Sequence, residues 1–219
     1  MKFFIELNQD GGIIKTPGYI AFALVILVIL IVTASLTSKS TKEHFSTKQL
    51  VFCSVCLALA FVCSFLKLFE LPMGGSVTML SMFLICFIGY LYGPYVGIIS
   101  AIAYGLLQLI VDPYIVYPLQ LIFDYPLAFG ALGLSGFFSK KKNGLIKGYL
   151  FGCLGRCVFS TLSGFIFFSE WAYEGWNPFI YSLSYNGSYI ATEAVITIIV
   201  LMLPAVSKAL QQIRSIALE

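Results

Sequence analysis

Charge is what this sequence has least of. Asp, Glu, Lys and Arg make up only 11% of the 219 residues, against about a quarter in a soluble domain. That deficit argues against a water-soluble globular fold and against a disordered chain. A net charge of +3 gives no basic footprint for nucleic acid. Histidine is nearly absent too: His44 stands alone in a basic linker. No H-E-x-x-H, G-x-S-x-G or Walker string occurs, so the enzyme families built on them are excluded. The six cysteines lie in apolar stretches. Cys53-Ser-Val-Cys56 spells C-x-x-C inside an apolar helix rather than in a βαβ unit, so the thiols read as small packing residues.

What is plentiful is apolar surface, at 59% of residues with a mean hydropathy of +0.94. A membrane-spanning helix takes about 20 apolar residues, so the chain has room for about six or seven. A polar tail, residues 1–17, precedes an apolar run over 19–36, too long for a signal-peptide core and read as a retained helix. A basic linker then leads into apolar segments at 49–69, 77–92, 94–111, 118–138, 146–168 and 187–206, separated by turns holding Gly, Pro or charge. The expectation is an all-α integral membrane protein: residues 1–47 as tail, extra helix and linker, 48–206 as a six-helix domain, and 207–219 as a cytoplasmic tail. Lys39, Lys42 and Lys48, then Lys140, Lys141, Lys142 and Lys147, then Lys208 and Arg214 all fall on one side of this count, and that side is expected to be cytoplasmic. Glu70, Asp112, Glu170 and Glu174 fall on the other, which places the N-terminus outside and the C-terminus inside the cell membrane.

Two outer connections are richer than turns require. One is Asp112-Pro-Tyr-Ile-Val-Tyr-Pro118. The other runs from Ser169 to Asn186, with Trp171, Tyr173, Trp176, Phe179, Tyr181 and Tyr185 around Glu170 and Glu174. An interfacial aromatic belt is the plain reading, but the density and the fixed backbone of Pro and Gly favour a structured lid over a site. Ionisable groups inside the apolar segments cost about 2.5–3.5 kcal/mol each at a helix centre, and four occur. Lys67 lies near a helix end and is expected to snorkel. Asp124, Arg156 and Glu193 lie deeper, either as an internal ion pair of Arg156 with one of the acids or as the lining of a polar pocket open to the outside. An acid among aromatics suits a small, flat, partly cationic ligand. Gly89, Gly93, Gly97, Ala101 and Gly105, and Gly148, Gly152 and Gly155, form small-residue stripes for close helix packing, and Ser54 and Ala58 form another that can dock a partner helix.

Tyr117-Pro-Leu-Gln-Leu-Ile-Phe-Asp-Tyr-Pro-Leu-Ala-Phe129 and Glu174-Gly-Trp-Asn-Pro…Tyr181-Ser-Leu-Ser-Tyr-Asn186-Gly-Ser carry a resemblance to thiamine-specific S components of energy-coupling factor (ECF) transporters. Arg156, Ser163-Gly-Phe-Ile-Phe-Phe168 and Gly74-Gly-Ser76 extend it, and it spans about residues 48–206. The resemblance implies a six-helix membrane protein that captures thiamine outside the cell. It also implies delivery through a transmembrane T component and two ATPases, which use the ATP; this chain needs no cofactor, metal or catalytic residue of its own. By position, Asp124 matches the acid that meets the aminopyrimidine and Tyr125 its aromatic neighbour. Tyr181 and Asn186 match polar contacts, and Tyr114, Arg156, Gly164 and Trp171 match or adjoin pocket positions. Ser160 stands where the family usually has histidine, and Phe168 where it often has a stacking tryptophan. Ser54 and Ala58 match the face that meets the T component. The alternatives are an S component for another flat nitrogen-rich vitamin or a thiamine precursor, an integral-membrane enzyme using Asp124, Arg156 and Glu193, and a purely structural protein.

Overall fold

The computed structural model describes residues 45–219, together with the backbone of Ile5–Asn8 (β1) and Gly11–Ile14 (β2), which pair antiparallel with Ile5 opposite Ile14. The expected helix over 19–36 lies outside the described residues. The bundle begins at α1 (Thr47–Ser64), started by a capping box in which the Ser46 hydroxyl accepts from the Gln49 N–H and the Gln49 side chain accepts from the Ser46 N–H. Then come the hairpin strands β3 (Lys67–Glu70) and β4 (Ser76–Thr78). The helices that follow are α2 (Ser81–Tyr92), α3 (Pro94–Val111), α4 (Gln120–Phe138), α5 (Gly144–Phe167), α6 (Pro178–Met202) and α7 (Pro204–Leu218). Among the described residues, α1, α3, α4, α5 and α6 are long and apolar enough to cross a membrane.

The glycine stripes set how closely these helices approach. A Cβ on Gly97 would sit 2.6 Å from Gly89 Cα and 2.8 Å from the Gly133 carbonyl oxygen, so α2, α3 and α4 touch backbone to backbone. One on Gly148 would meet the Ser135 carbonyl oxygen at 2.7 Å, and one on Gly152 the Leu132 carbonyl oxygen at 2.9 Å, which seats α5 on α4. Without a hydrophobic drive between helices in lipid, such close packing is the main source of association. Cys53, Cys56, Cys86 and Cys153 are buried as free thiols in the same interior.

Four features depart from the sequence reading. Residues 67–78, expected to be a helix end and a turn, form a hairpin in which Lys67 faces Thr78 and Glu70 faces Ser76. The Leu71-Pro72 step disfavours continued helix, and Met73 and Gly74 both take left-handed backbone at the tip (φ 67° and 86°). Lys67 does not snorkel: its ammonium lies 2.7 Å from Asp112 and 2.9 Å from Glu70. Burial works against its charge, but these hydrogen bonds outweigh it and the pKa rises. The last spanning helix starts at Pro178 rather than near 187, because the Asn177 side chain caps the Phe179 N–H and Pro178 occupies the first turn. The expected C-terminal tail is itself the helix α7. It lies across one end of the bundle, where Arg214 donates to the Tyr90 hydroxyl at 2.7 Å and to the Ser139 carbonyl at 3.3 Å.

Gly133 is the test of this packing. A methyl group there meets the backbone of Gly97 and Ile98, which cannot yield, so Gly133→Ala is expected to cost about 1–3 kcal/mol and to lower the melting temperature in detergent. Gly187→Ala, with open space around it, is expected to leave that temperature unchanged or slightly raised.

Candidate functional site

Polar side chains from four helices meet at the hairpin end of the bundle, around a cavity of about 610 Å³. Its size falls in the range of small-molecule sites, about 300–1,000 Å³. The walls come from α4 (Gln120, Asp124, Tyr125, Phe129), α5 (Arg156, Ser160, Gly164) with Phe168 at its C-terminal end, and α6 (Tyr181, Ser182, Tyr185, Asn186, Tyr189). Gln108 of α3, the Asp112–Tyr114 turn and the hairpin tip from Glu70 to Ser76 complete it.

The position of Asp124 follows from Pro126. Proline has no N–H and crowds the preceding turn, and the helix answers with a π-helical turn over Phe123–Leu127 that contains both Asp124 and Tyr125. Gln120, 1% exposed, braces that turn. Its amide donates to Asp124 Oδ2 at 2.9 Å and to the Tyr114 carbonyl at 2.8 Å, while its oxygen accepts from the N–H groups of Val116 and Tyr117. The Tyr125 hydroxyl accepts from the Tyr114 N–H at 2.8 Å and donates to the Asp112 carbonyl at 3.2 Å. The 112–119 turn is thus wired to the acid it overhangs. Burial pushes the pKa of Tyr114 upward, so its phenol stays a neutral hydrogen-bonding group.

On the opposite wall, Asn186 donates to the carbonyls of Ser160 (3.2 Å) and Ser182 (3.0 Å), and its oxygen accepts from the Tyr189 hydroxyl at 2.9 Å. Gly164 permits this approach of α5 to α6, since a side chain there would strike Ser182. The Phe168 ring stacks on Tyr114 with centroids 6.0 Å apart and planes 27° from parallel. Arg156 lies 4.1 Å above the Phe129 ring, a cation–π arrangement.

Of the two readings, internal ion pair or polar pocket, the ion pair is not formed: among the described residues Arg156 makes no salt bridge, although it is near enough to attract Asp124 electrostatically. Its Nε is buried without a hydrogen-bond partner. A buried donor left unmatched is costly, and the guanidinium is held instead against the face of the Phe129 ring. Glu193 does not line the cavity. It lies one turn below Tyr189 and faces α2 instead, because the N–H groups at the start of that short helix demand an acceptor.

Nine of the ten expected ligand residues line the cavity: Asp124, Tyr125, Tyr181, Asn186, Ser160, Phe168, Tyr114, Arg156 and Gly164. Trp171 does not. It is 45% exposed and stands edge-on to Phe168 at 6.0 Å, on the outer side of that ring. The extended lid is shorter than expected, since Tyr181, Tyr185 and Asn186 stand on α6. The cover is the hairpin tip: the Tyr185 hydroxyl accepts from the Gly75 N–H at 3.0 Å and donates to the Pro72 carbonyl. Sequence reasoning missed Gln120, Tyr185 and Tyr189. Gln120 was discoverable as a polar residue one turn before Asp124, and the two tyrosines as a four-residue pair on the face that carries Asn186. Ser54 and Ala58 are exposed on α1, the least buried of the five long apolar helices.

Residues 50–213 match the family model described as thiamine transporter protein (Thia_YuaJ). The chain is 34% identical over 148 residues to the thiamine transporter ThiT of Bacillus subtilis, covering 61% of this chain and 77% of that protein. It is also 34% identical over 96 residues to ThiT of Lacticaseibacillus paracasei, covering 38% of this chain and 48% of that one. A solved structure of ThiT from Listeria monocytogenes superimposes with a TM-score of 0.62 at 26% identity, covering 74% of this chain and 96% of the other. The matched region holds α1 from residue 50 onward and the other four spanning helices whole, and the matched proteins are transporters rather than enzymes. With a match over most of its length, the chain belongs to the thiamine transporter protein family.

Proposed function

We propose that this protein is the thiamine-binding subunit of an energy-coupling factor transporter and that the hairpin-covered cavity holds the vitamin. The observation that carries this reading is Asp124, braced by Gln120 and flanked by Tyr125, at the wall of a cavity bounded by stacked rings. An aminopyrimidine offers donors that a fixed carboxylate accepts. A thiazolium ring offers a flat cation that Tyr114 and Phe168 can stack on. Ser160 and Phe168, where the family usually has histidine and often tryptophan, leave these contacts in place: Phe168 stacks on Tyr114, and the Ser160 carbonyl holds Asn186.

The cavity end carries Glu70, Asp112, Glu170 and Glu174, and the opposite end carries Lys140, Lys141, Lys142, Lys147, Lys208 and Arg214. With positive residues inside, the cavity opens outward and the C-terminus is cytoplasmic. Ser54 and Ala58, exposed on α1, are the face offered to the T component, whose two ATPases supply the energy.

Asp124→Asn is expected to weaken thiamine binding at least tenfold in isothermal titration, since a hydrogen bond to a charged group contributes about 1.5–3 kcal/mol and about 1.4 kcal/mol is tenfold. Unchanged affinity would remove Asp124 from the ligand contacts, and a tight preference for another vitamin would replace thiamine as the ligand. Ser54→Leu combined with Ala58→Leu is expected to keep binding intact while thiamine uptake into cells falls to background. Undiminished uptake would place the T component on another face.

A further inference from the structure

Glu193 is the most deeply placed acid in the bundle, fifteen residues along α6 from Pro178 and 2% exposed. Both carboxylate oxygens are occupied by donors. Oε2 accepts from the Thr78 N–H at 3.0 Å and the Thr78 hydroxyl at 2.8 Å, and Oε1 accepts from the Met82 N–H at 3.2 Å with the Ser81 hydroxyl at 3.5 Å. These groups straddle the joint between β4 and α2. At the centre of that joint is Leu80, a leucine in left-handed backbone (φ 65°), with no side-chain cap for the helix it begins. Left-handed backbone at a leucine is strained and persists only where the surroundings impose it.

The joint is also the root of the hairpin whose tip covers the cavity. The hairpin has two other tethers. One is the Tyr185 hydroxyl on Gly75 and Pro72 at the tip, and the other is Lys67, at the root, on Asp112. Tyr185 and Asp112 line the cavity themselves, whereas Glu193 does not. We infer that Glu193 is a positioning residue for ligand retention: without touching the ligand, it locks the β4–α2 joint and so holds the hairpin tip down over the cavity. This rests on the cavity being the thiamine site.

Glu193→Gln keeps the shape but turns an NH2 group toward donors whichever way the amide lies. The protein's two tryptophans, Trp171 and Trp176, both stand in the 168–177 loop beside the cavity, so stopped-flow tryptophan fluorescence reports ligand exchange. For Glu193→Gln the thiamine dissociation rate is expected to rise at least about tenfold, as the loss of a charge-assisted hydrogen bond implies, with the association rate little changed. Thr78→Val, which removes only the hydroxyl donor, is expected to give a smaller rise in the same direction and decides the matter if the glutamine variant does not fold. Thr197→Val, one turn further along α6 and fully buried away from the β4–α2 joint, is expected to leave both rates unaltered.

Hydrogen exchange on the ligand-free protein gives an independent readout. The Gly75 and Thr78 amides are expected to exchange faster in Glu193→Gln while amides in the middle of α5 do not. Dissociation rates within twofold of wild type in Glu193→Gln and Thr78→Val, or uniform exchange across hairpin and bundle, would reduce Glu193 to a helix cap. Failure of the wild type to bind thiamine would instead overturn the proposed function, and the exchange comparison would still decide the role of Glu193.

Discussion

A backbone N–H group inside a bilayer has no water to turn to, and helix α2 begins where that matters most. Its twelve residues extend about 18 Å at 1.5 Å each, well short of the roughly 30 Å hydrocarbon layer. Its first N–H groups therefore open into the protein interior, where an unmet donor costs several kcal/mol. Glu193 from α6 meets one of them, that of Met82, and the approach to the short helix is left to the β3–β4 hairpin. The cavity exists because one helix stops early and a hairpin roofs the gap.

The chemistry of the cavity wall depends on a second backbone irregularity. Pro126 forces a π-turn in α4, and the two residues before it are the acid and the tyrosine that face the site. Gln120 and Tyr125 then spend their hydrogen bonds on the 112–119 turn, so the acid, the overhanging turn and the Tyr114–Phe168 stack move as one unit. On the other side, Asn186 locks α6 to α5 through the backbone of Ser160. A site assembled this way is organised before any ligand arrives, which lowers the entropy lost on binding.

The membrane class and most of the spanning segments were legible because hydropathy and the scarcity of charge survive in any fold. The cavity wall was legible where polar groups interrupt apolar helices, as at Asp124, Arg156 and Asn186, or where the local string is distinctive. Other features were hidden. Tyr181–Asn186 read as loop because the segment is polar, yet it is helix, since its polar face lines the cavity instead of lipid. Lys67 read as a snorkelling cation, and Glu193 as an ion-pair partner of Arg156 or a pocket acid. Their true partners, Asp112 and the Thr78–Met82 joint, lie 45 and over 110 residues away in sequence.

By itself the sequence determined that the chain spans a membrane several times and which few ionisable groups must be accommodated there. Composition and periodicity express the bilayer's demands one segment at a time. Only the tertiary structure decided how each buried group is satisfied. Arg156 rests on a ring instead of an acid, Glu193 caps a neighbouring helix, and a hairpin rather than the aromatic loop closes the site. Those outcomes depend on which donor and acceptor meet across helices, and although the glycine stripes are legible locally, which helix each stripe meets is decided only when the segments pack.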